Sequence, residues 1–310
     1  MDLDQLLVVT FQISSFIIVF GYGLRAEFGD LRYLLGHPVL LLRSFFAVMV
    51  VMPAVAVLLA RWFDVAVTVE IALVALAISP LPPLLPIRES KAGGGQDFGL
   101  GLMIVLAATS IVLVPLAVRL IGASFGRTYV TAPATIAVVT STSILLPILS
   151  GMVTRACAPK FTATVAERVN RVGVVFLPVA AAVLVAAAAP DVWRLVGDGT
   201  LLVVAAFVVT GFAGGHLFGR PELEHSAVLA FSAACRHPGT ALAVAAMNYP
   251  DHDLKAAVLI YLVVNVVVGL LYAYWLRARF RRRGRGPAPR RVDPPAPGDA
   301  ESARRPRGWS

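Results

Sequence analysis

Two hydrophobic segments of this chain are interrupted in the middle, at matching places in its two halves. The first runs through residues 65–79 and then reads Pro80-Leu81-Pro82-Pro83-Leu84-Leu85-Pro86. The second runs through 225–235, then Arg236-His237-Pro238-Gly239-Thr240, then 241–247. Each follows a short arginine-bearing hinge, Arg61 or Arg220, with 19 residues from hinge to Pro80 and 18 from hinge to Pro238. Irregular backbone at membrane depth is tolerated only where it is buried in protein or lines a cavity. A matched pair of such breaks is the sequence mark of a secondary transporter's binding site.

The membrane reading rests on the runs themselves. The chain is 58% hydrophobic with a mean hydropathy of +0.80, and its apolar runs are of spanning length. Nine spans are expected, over 5–24, 38–60, 65–88, 98–120, 132–152, 172–189, 199–218, 225–248 and 254–276. A soluble helical core would show amphipathic stripes, whereas 172–189 is apolar all round. The lipid bilayer is thus the first partner.

The net charge of +9 resides almost wholly in the tail. From Arg277 onward there are eleven arginines and three acids, which argues for a topogenic, lipid-facing role rather than nucleic-acid binding. The chain divides into a transmembrane domain, 1–276, and a basic tail, 277–310, whose Pro, Gly and Arg content predicts disorder. A cytoplasmic tail and nine spans put the N-terminus outside, in a multi-pass protein of the plasma (inner) membrane. The expected inside loops carry Arg25, Arg32, Arg88, Lys91, Arg155, Lys160, Arg168, Arg171 and Arg220. Outside loops hold only Arg61, Arg127 and Arg194, with Arg119 and Lys255 at outer span ends running against the trend. Asp2 and Asp4 occupy the place of a basic n-region, so the first span does not read as a signal peptide. Cys157 and Cys235 are too few and too far apart for a disulfide framework or a cysteine metal site; both read as free thiols. No cofactor or metal is expected.

The interrupted segments lie five spans apart, an odd number, so they run in opposite directions through the bilayer. The fold class is therefore an all-α membrane protein with an inverted repeat and two crossing discontinuous helices. Half-helix ends meeting near the midplane attract anions at their N-termini and cations at their C-termini. The alternative is a pair of proline kinks with no ligand.

The chain resembles the bile acid:sodium symporter family. The likeness lies in Phe20-Gly21-Tyr22-Gly23-Leu24, His37-Pro38, Met52-Pro53, Ser79-Pro80 and Val114-Pro115-Leu116. It continues in Arg236-His237-Pro238-Gly239 and in the last span, from Tyr261-Leu262-Val263-Val264-Asn265 to Leu271-Tyr272-Ala273-Tyr274-Trp275. It covers roughly residues 10–276 and implies a panel domain and a core domain. Transport would proceed by alternating access, of organic anions such as bile acids, steroid sulfates or small carboxylates. The same resemblance places the family's sodium-ligand positions at Leu85, Pro86, Ser232, Arg236 and Val48, with hydroxyl ligands falling at Met103 and Ala107. Sodium requires several hard oxygen ligands, and this set of side chains does not supply them.

Candidate substrate contacts are Arg236, His237, Thr240, Asn265, Thr109 and Ser110. Pro80, Pro82, Pro83, Pro86, Pro238 and Gly239 form the crossover. An arginine near the bilayer centre costs between roughly 3 and 15 kcal/mol unless paired or hydrated. Arg236 thus reads as a fixed cation replacing sodium, as an anion clamp, or as a structural partner of a carboxylate or of helix-end carbonyls. Glu70 is the candidate charge or proton partner, unless it snorkels to the interface. His237 also titrates in a useful range, or is simply hydrogen-bonded. Asn265 resembles the family's cavity-facing asparagine and reads equally as interhelical glue. Thr109 and Ser110 line the cavity or bond back to their own helix. Arg88, Glu89 and Lys91 read as an inside loop or as an anion-attracting mouth.

These features favour a small organic anion as substrate, with sodium coupling in doubt and the oligomeric state open. The rival classes are an intramembrane enzyme, a channel and a sensor. The sequence holds no His-Glu-x-x-His or Gly-x-Ser-x-Gly motif, and no signalling domain is evident.

Overall fold

The computed structural model describes residues 13, 16–26, 28–82, 85–124, 133–159, 162, 192–193, 195–197 and 199–282. Every regular element among them is a helix. In chain order these are α1 (16–23), α2 (Phe28–Leu35), α3 (Pro38–Trp62), α4 (Val67–Ile78) and α5 (Leu85–Ala92). There follow α6 (Gln96–Ser124), α7 (Ala134–Cys157), α8 (Thr200–Phe218), α9 (Leu223–Ala234), α10 (Pro238–Asn248) and α11 (Lys255–Arg282).

Five of these, α3, α6, α7, α8 and α11, are long and apolar enough to cross a membrane. They match the spans expected at 38–60, 98–120, 132–152, 199–218 and 254–276. Leu42, Val112, Val138, Leu202 and Leu270, one on each of them, are all more than 60% exposed. Apolar side chains turned outward in this way suit lipid rather than water. The segments at 65–88 and 225–248 are the helix pairs α4/α5 and α9/α10. The span expected at 172–189 and half of that at 5–24 lie outside the described residues. The last helix runs to Arg282, six residues past its expected end. Alanine and arginine are good helix formers, Phe280 is buried, and Arg277 Nε donates to the Lys91 carbonyl at 2.7 Å. The tail from 283 onward lies outside the described residues.

Two of the long helices contain a wider π-type turn, Phe46–Val51 in α3 and Ser141–Leu145 in α7. Each is followed within two residues by a proline, Pro53 or Pro147. Proline lacks the N–H that would continue the ladder, so the register shifts by one residue around it.

The tightest helix pair is α8 with α9. Gly211, Gly215 and Gly219 repeat at four-residue spacing and form one stripe along α8. A Cβ added at Gly215 would lie 2.2 Å from the Leu229 carbonyl oxygen, and one at Gly211 2.7 Å from Ala234 Cα. Small residues at this spacing let membrane helices approach backbone to backbone. Helix α8 thereby lies close against α9 up to its last residue, where the second break begins.

The largest buried cluster gathers Val48 of α3, Leu76 of α4, Phe207 of α8, Phe231 of α9 and Tyr261 of α11. Within it α4 packs on α10, while α5 packs on α9. Each half of one interrupted segment therefore lies against the opposite half of the other.

Candidate functional site

The two breaks touch. Helix α4 ends at Ile78, and Ser79 turns extended, with φ −70° and ψ 153°. A following proline disfavours the helical conformation at that position. Helix α9 ends at Ala234, and Cys235 is likewise extended. Pro238 then occupies the first turn of α10, where its missing N–H costs nothing. Between the breaks, the His237 backbone N–H donates to the Pro80 carbonyl at 2.9 Å. Pro80 and Pro86 are buried, Pro82 and Pro238 half-buried, and Gly239 exposed. Pro83 lies outside the described residues.

Arg236 fills the space beside this contact and is only 1% exposed. Its guanidinium donates from Nη2 to the Val48 carbonyl at 2.6 Å and from Nη1 to the Ser79 carbonyl at 3.3 Å. Both acceptors are free for a reason written in the chain. In the π-type register the partner of the Val48 carbonyl would be the N–H of residue 53, which is a proline. The Ser79 carbonyl lies past the end of α4 in extended backbone, where no intrahelical donor reaches it. Two carbonyls without intrahelical donors thus receive one planar fork, a geometry that suits guanidinium and not a point-like ammonium. Arg236 is held by helix carbonyls and not by Glu70, which is half-buried in the first turn of α4.

Helix α11 closes the other side. Tyr261 Oη accepts the Arg236 backbone N–H at 2.6 Å and donates to the Ala234 carbonyl at 2.9 Å. Asn265 Nδ2 donates to the same carbonyl at 2.9 Å. Its Oδ1 accepts from Arg88 Nη1 at 2.7 Å and from Cys235 Sγ at 3.2 Å. The open C-terminal end of α9, whose carbonyls would otherwise be orphaned, is capped by two side chains from one neighbouring helix. With both ends of its amide engaged, Asn265 joins α5, α9 and α11. The Arg88 guanidinium also lies 6.0 Å from the Phe231 ring centroid.

At the start of α10, His237 acts as the N-cap, its Nδ1 accepting the Thr240 backbone N–H at 3.1 Å. An accepting Nδ1 is unprotonated, so the neutral ring carries its proton on Nε2. That Nε2, Thr240 Oγ1 and Arg236 Nε are buried and have no hydrogen-bond partner among the described residues. Three donors on a five-residue stretch beside a helix N-terminus are therefore unspent.

Thr109 and Ser110 on α6 bond back to the carbonyls of Val105 and Ala107, at 2.8 and 2.7 Å. Ser110 also lies 3.5 Å from Thr140 Oγ1 on α7, and neither residue bonds to the Arg236 group. Of the positions matched to sodium ligands, Leu85, Met103 and Ala107 are fully buried apolar side chains. Ser232 Oγ donates to Glu89 Oε1 at 3.0 Å. Among the described residues no group of three or more His, Cys, Asp or Glu side chains is placed to hold a metal.

Sequence reasoning missed Tyr261 and Cys235 as parts of the site. It read Arg88, Glu89 and Lys91 as an inside loop or an anion-attracting mouth at the end of the 65–88 span, whereas the structure makes Leu85–Ala92 one helix following the first break. The signal for the carbonyl acceptors was present, in Pro53 five residues after Val48 and in Pro80 directly after Ser79.

A comparison with protein families matches residues 13–193 to the Sodium Bile acid symporter family, more than half of the chain. The matched stretch contains the first break and ends before the second. A comparison with curated proteins finds no match.

Proposed function

Because the chain belongs to the sodium bile acid symporter family, we propose that it is a sodium-independent secondary transporter of a small organic anion, working by alternating access around the contact between its two interrupted helices. Members of this family are membrane transporters, and the apolar helices described above agree with a multi-pass protein. The finer reading is that the α4/α5 and α9/α10 pairs are the inverted-repeat halves of a core domain. A panel domain would rock against it, with nine spans, the N-terminus outside and the basic tail in the cytoplasm. The packing of α4 on α10 and of α5 on α9, with the Pro80–His237 bond at its centre, supports opposed, crossing segments.

The observation that carries the sodium-independent reading is the occupancy of the backbone oxygens beside the crossover. The Val48 carbonyl, free because of Pro53, and the Ser79 carbonyl, free at the end of α4, are taken by the Arg236 guanidinium. A tethered guanidinium supplies the positive charge that a bound ion would supply, but it cannot dissociate and so cannot transduce a sodium gradient. The anion would meet the unspent donors at the start of α10, His237 Nε2 and Thr240 Oγ1. The helix N-terminus adds its partial positive charge.

The test is counterflow in proteoliposomes with a labelled bile acid, steroid sulfate and small carboxylate, with sodium replaced by potassium or choline at fixed pH. Saturable exchange unchanged by the replacement is expected. A steep rise with sodium would show that other backbone carbonyls rebuild an ion site. Unsaturable flux would mark a channel instead.

A further inference from the structure

Glu89 is a carboxylate enclosed beside the crossover with almost nothing to hold it. It lies on α5, is 2% exposed, and has one side-chain hydrogen bond among the described residues, from Ser232 Oγ to Oε1 at 3.0 Å. Oε2 is buried with no partner. No ion pair to Glu89 is present among the described residues. Its neighbour Arg88 directs its guanidinium elsewhere, to Asn265 and Cys235. Room for Oε2 is made by Gly99 on α6, where a Cβ would stand 2.4 Å from that oxygen.

An ionised carboxylate without a cation is expensive to bury, whereas a carboxyl bearing a proton is not. We propose that Glu89 is a proton-binding site of the transport cycle, enclosed as the neutral acid and discharged when the movement of the two domains opens it to water. This rests on the transporter reading above and supplies the coupling that a fixed guanidinium cannot. The step balances simply. The O–H bond on Oε2 breaks and the proton passes to water on one side of the membrane. It re-forms from water on the other side, and no electron is transferred. Other charged or titratable groups on the elements packed around it are Arg88 and Lys91 on α5, Asp97 and Arg119 on α6, and Glu224, His225 and Cys235 on or just after α9. Helix α11 adds Lys255, Tyr261, Tyr272, Tyr274, Arg277, Arg279, Arg281 and Arg282. Ser232 alone among the described residues is bonded to the carboxyl, so Ser232 is the positioning residue.

The proton itself is the probe. The full chain in lipid nanodiscs is followed by infrared difference spectroscopy through a pH titration. A carbonyl stretch from a protonated carboxyl should be present and should bleach as the pH is raised. In Glu89→Gln that band should be lost. In Ser232→Ala, which keeps the acid but removes its hydrogen bond, the band should move to higher frequency. A band unchanged in Glu89→Gln, or one that never bleaches, overturns the proposal. In proteoliposomes containing a trapped pH dye and the labelled bile acid, wild-type uptake should be accompanied by proton entry. Uptake without proton entry also overturns it. Absence of exchange with every anion would overturn the transporter reading, whereas loss of the band bears on Glu89 alone.

Discussion

Replacing Arg236 by lysine keeps the charge and removes the fork, and the structure says what that costs. The guanidinium makes two charge-assisted bonds, to the carbonyls of Val48 and Ser79. Such bonds contribute about 1.5–3 kcal/mol each. Burying an arginine at membrane depth costs at least roughly 3 kcal/mol, so the two bonds together do little more than offset the burial. A lysine retains the burial cost but presents one nitrogen where two, held apart by the guanidinium plane, are used. It should lose one bond and destabilise the protein by about 1.5–3 kcal/mol. Arg236→Met leaves both carbonyls unpaired but removes the buried charge, so the two penalties largely cancel. The expected order is therefore counter-intuitive, with Arg236→Lys at least as destabilising as Arg236→Met. Thermal unfolding of the three proteins in the same detergent reads this directly. Transport reads the other half: Met should abolish exchange because the fixed charge is gone, while Lys retains a fraction of it. Wild-type stability in Arg236→Lys would refute the fork argument. Near-normal exchange and substrate affinity in Arg236→Ala would refute the role of the charge.

Gly215→Val should separate α8 from α9, because even its Cβ falls 2.2 Å from the Leu229 carbonyl; overpacking of this kind costs about 1–3 kcal/mol, read as a lowered unfolding temperature, with Gly214→Val, whose Cβ meets nothing within 4 Å, as the silent control. Tyr261→Phe strips the acceptor from the buried Arg236 N–H and one donor from the Ala234 carbonyl. It should destabilise by about 1–3 kcal/mol, and denaturation matching wild type would show that water replaces the hydroxyl. Thr240→Val removes a buried hydroxyl that is unspent in the protein, so it should leave stability near wild type while weakening anion affinity in binding assays. The reverse pattern would assign Thr240 a structural role.

How much of this was legible in the sequence depended on which atoms do the work. The breaks were visible because proline acts on the backbone in a way that context scarcely changes: it fixes φ and deletes a donor. Ser79-Pro80 and His237-Pro238 accordingly became the extended residues at which α4 stops and α10 starts. Their mutual contact was expected from the pairing and is present as the His237–Pro80 bond. Arg236 stood out as a charge in an apolar run, and its structural partner was left open between a carboxylate, with Glu70 as the candidate, and helix-end carbonyls; the structure shows the second. The partners are carbonyls, which every residue has and which become available where a helix ends, as at Ser79, or where a proline follows at helical spacing, as Pro53 follows Val48. Read with that rule, the acceptors for a buried cation can be located without any polar side chain in view. No such rule reaches Glu89. The stretch from Arg88 to Lys91 is polar enough to read as an inside loop or mouth, and its carboxylate becomes a buried group only because α5 folds back against α9 and brings Ser232 within hydrogen-bonding distance. The fold's local punctuation is a property of single residues and can be read one residue at a time. The proton-site candidate is a property of two segments 143 residues apart, and it emerges only when tertiary packing sets a glutamate that reads as part of a loop or mouth against a serine and a glycine.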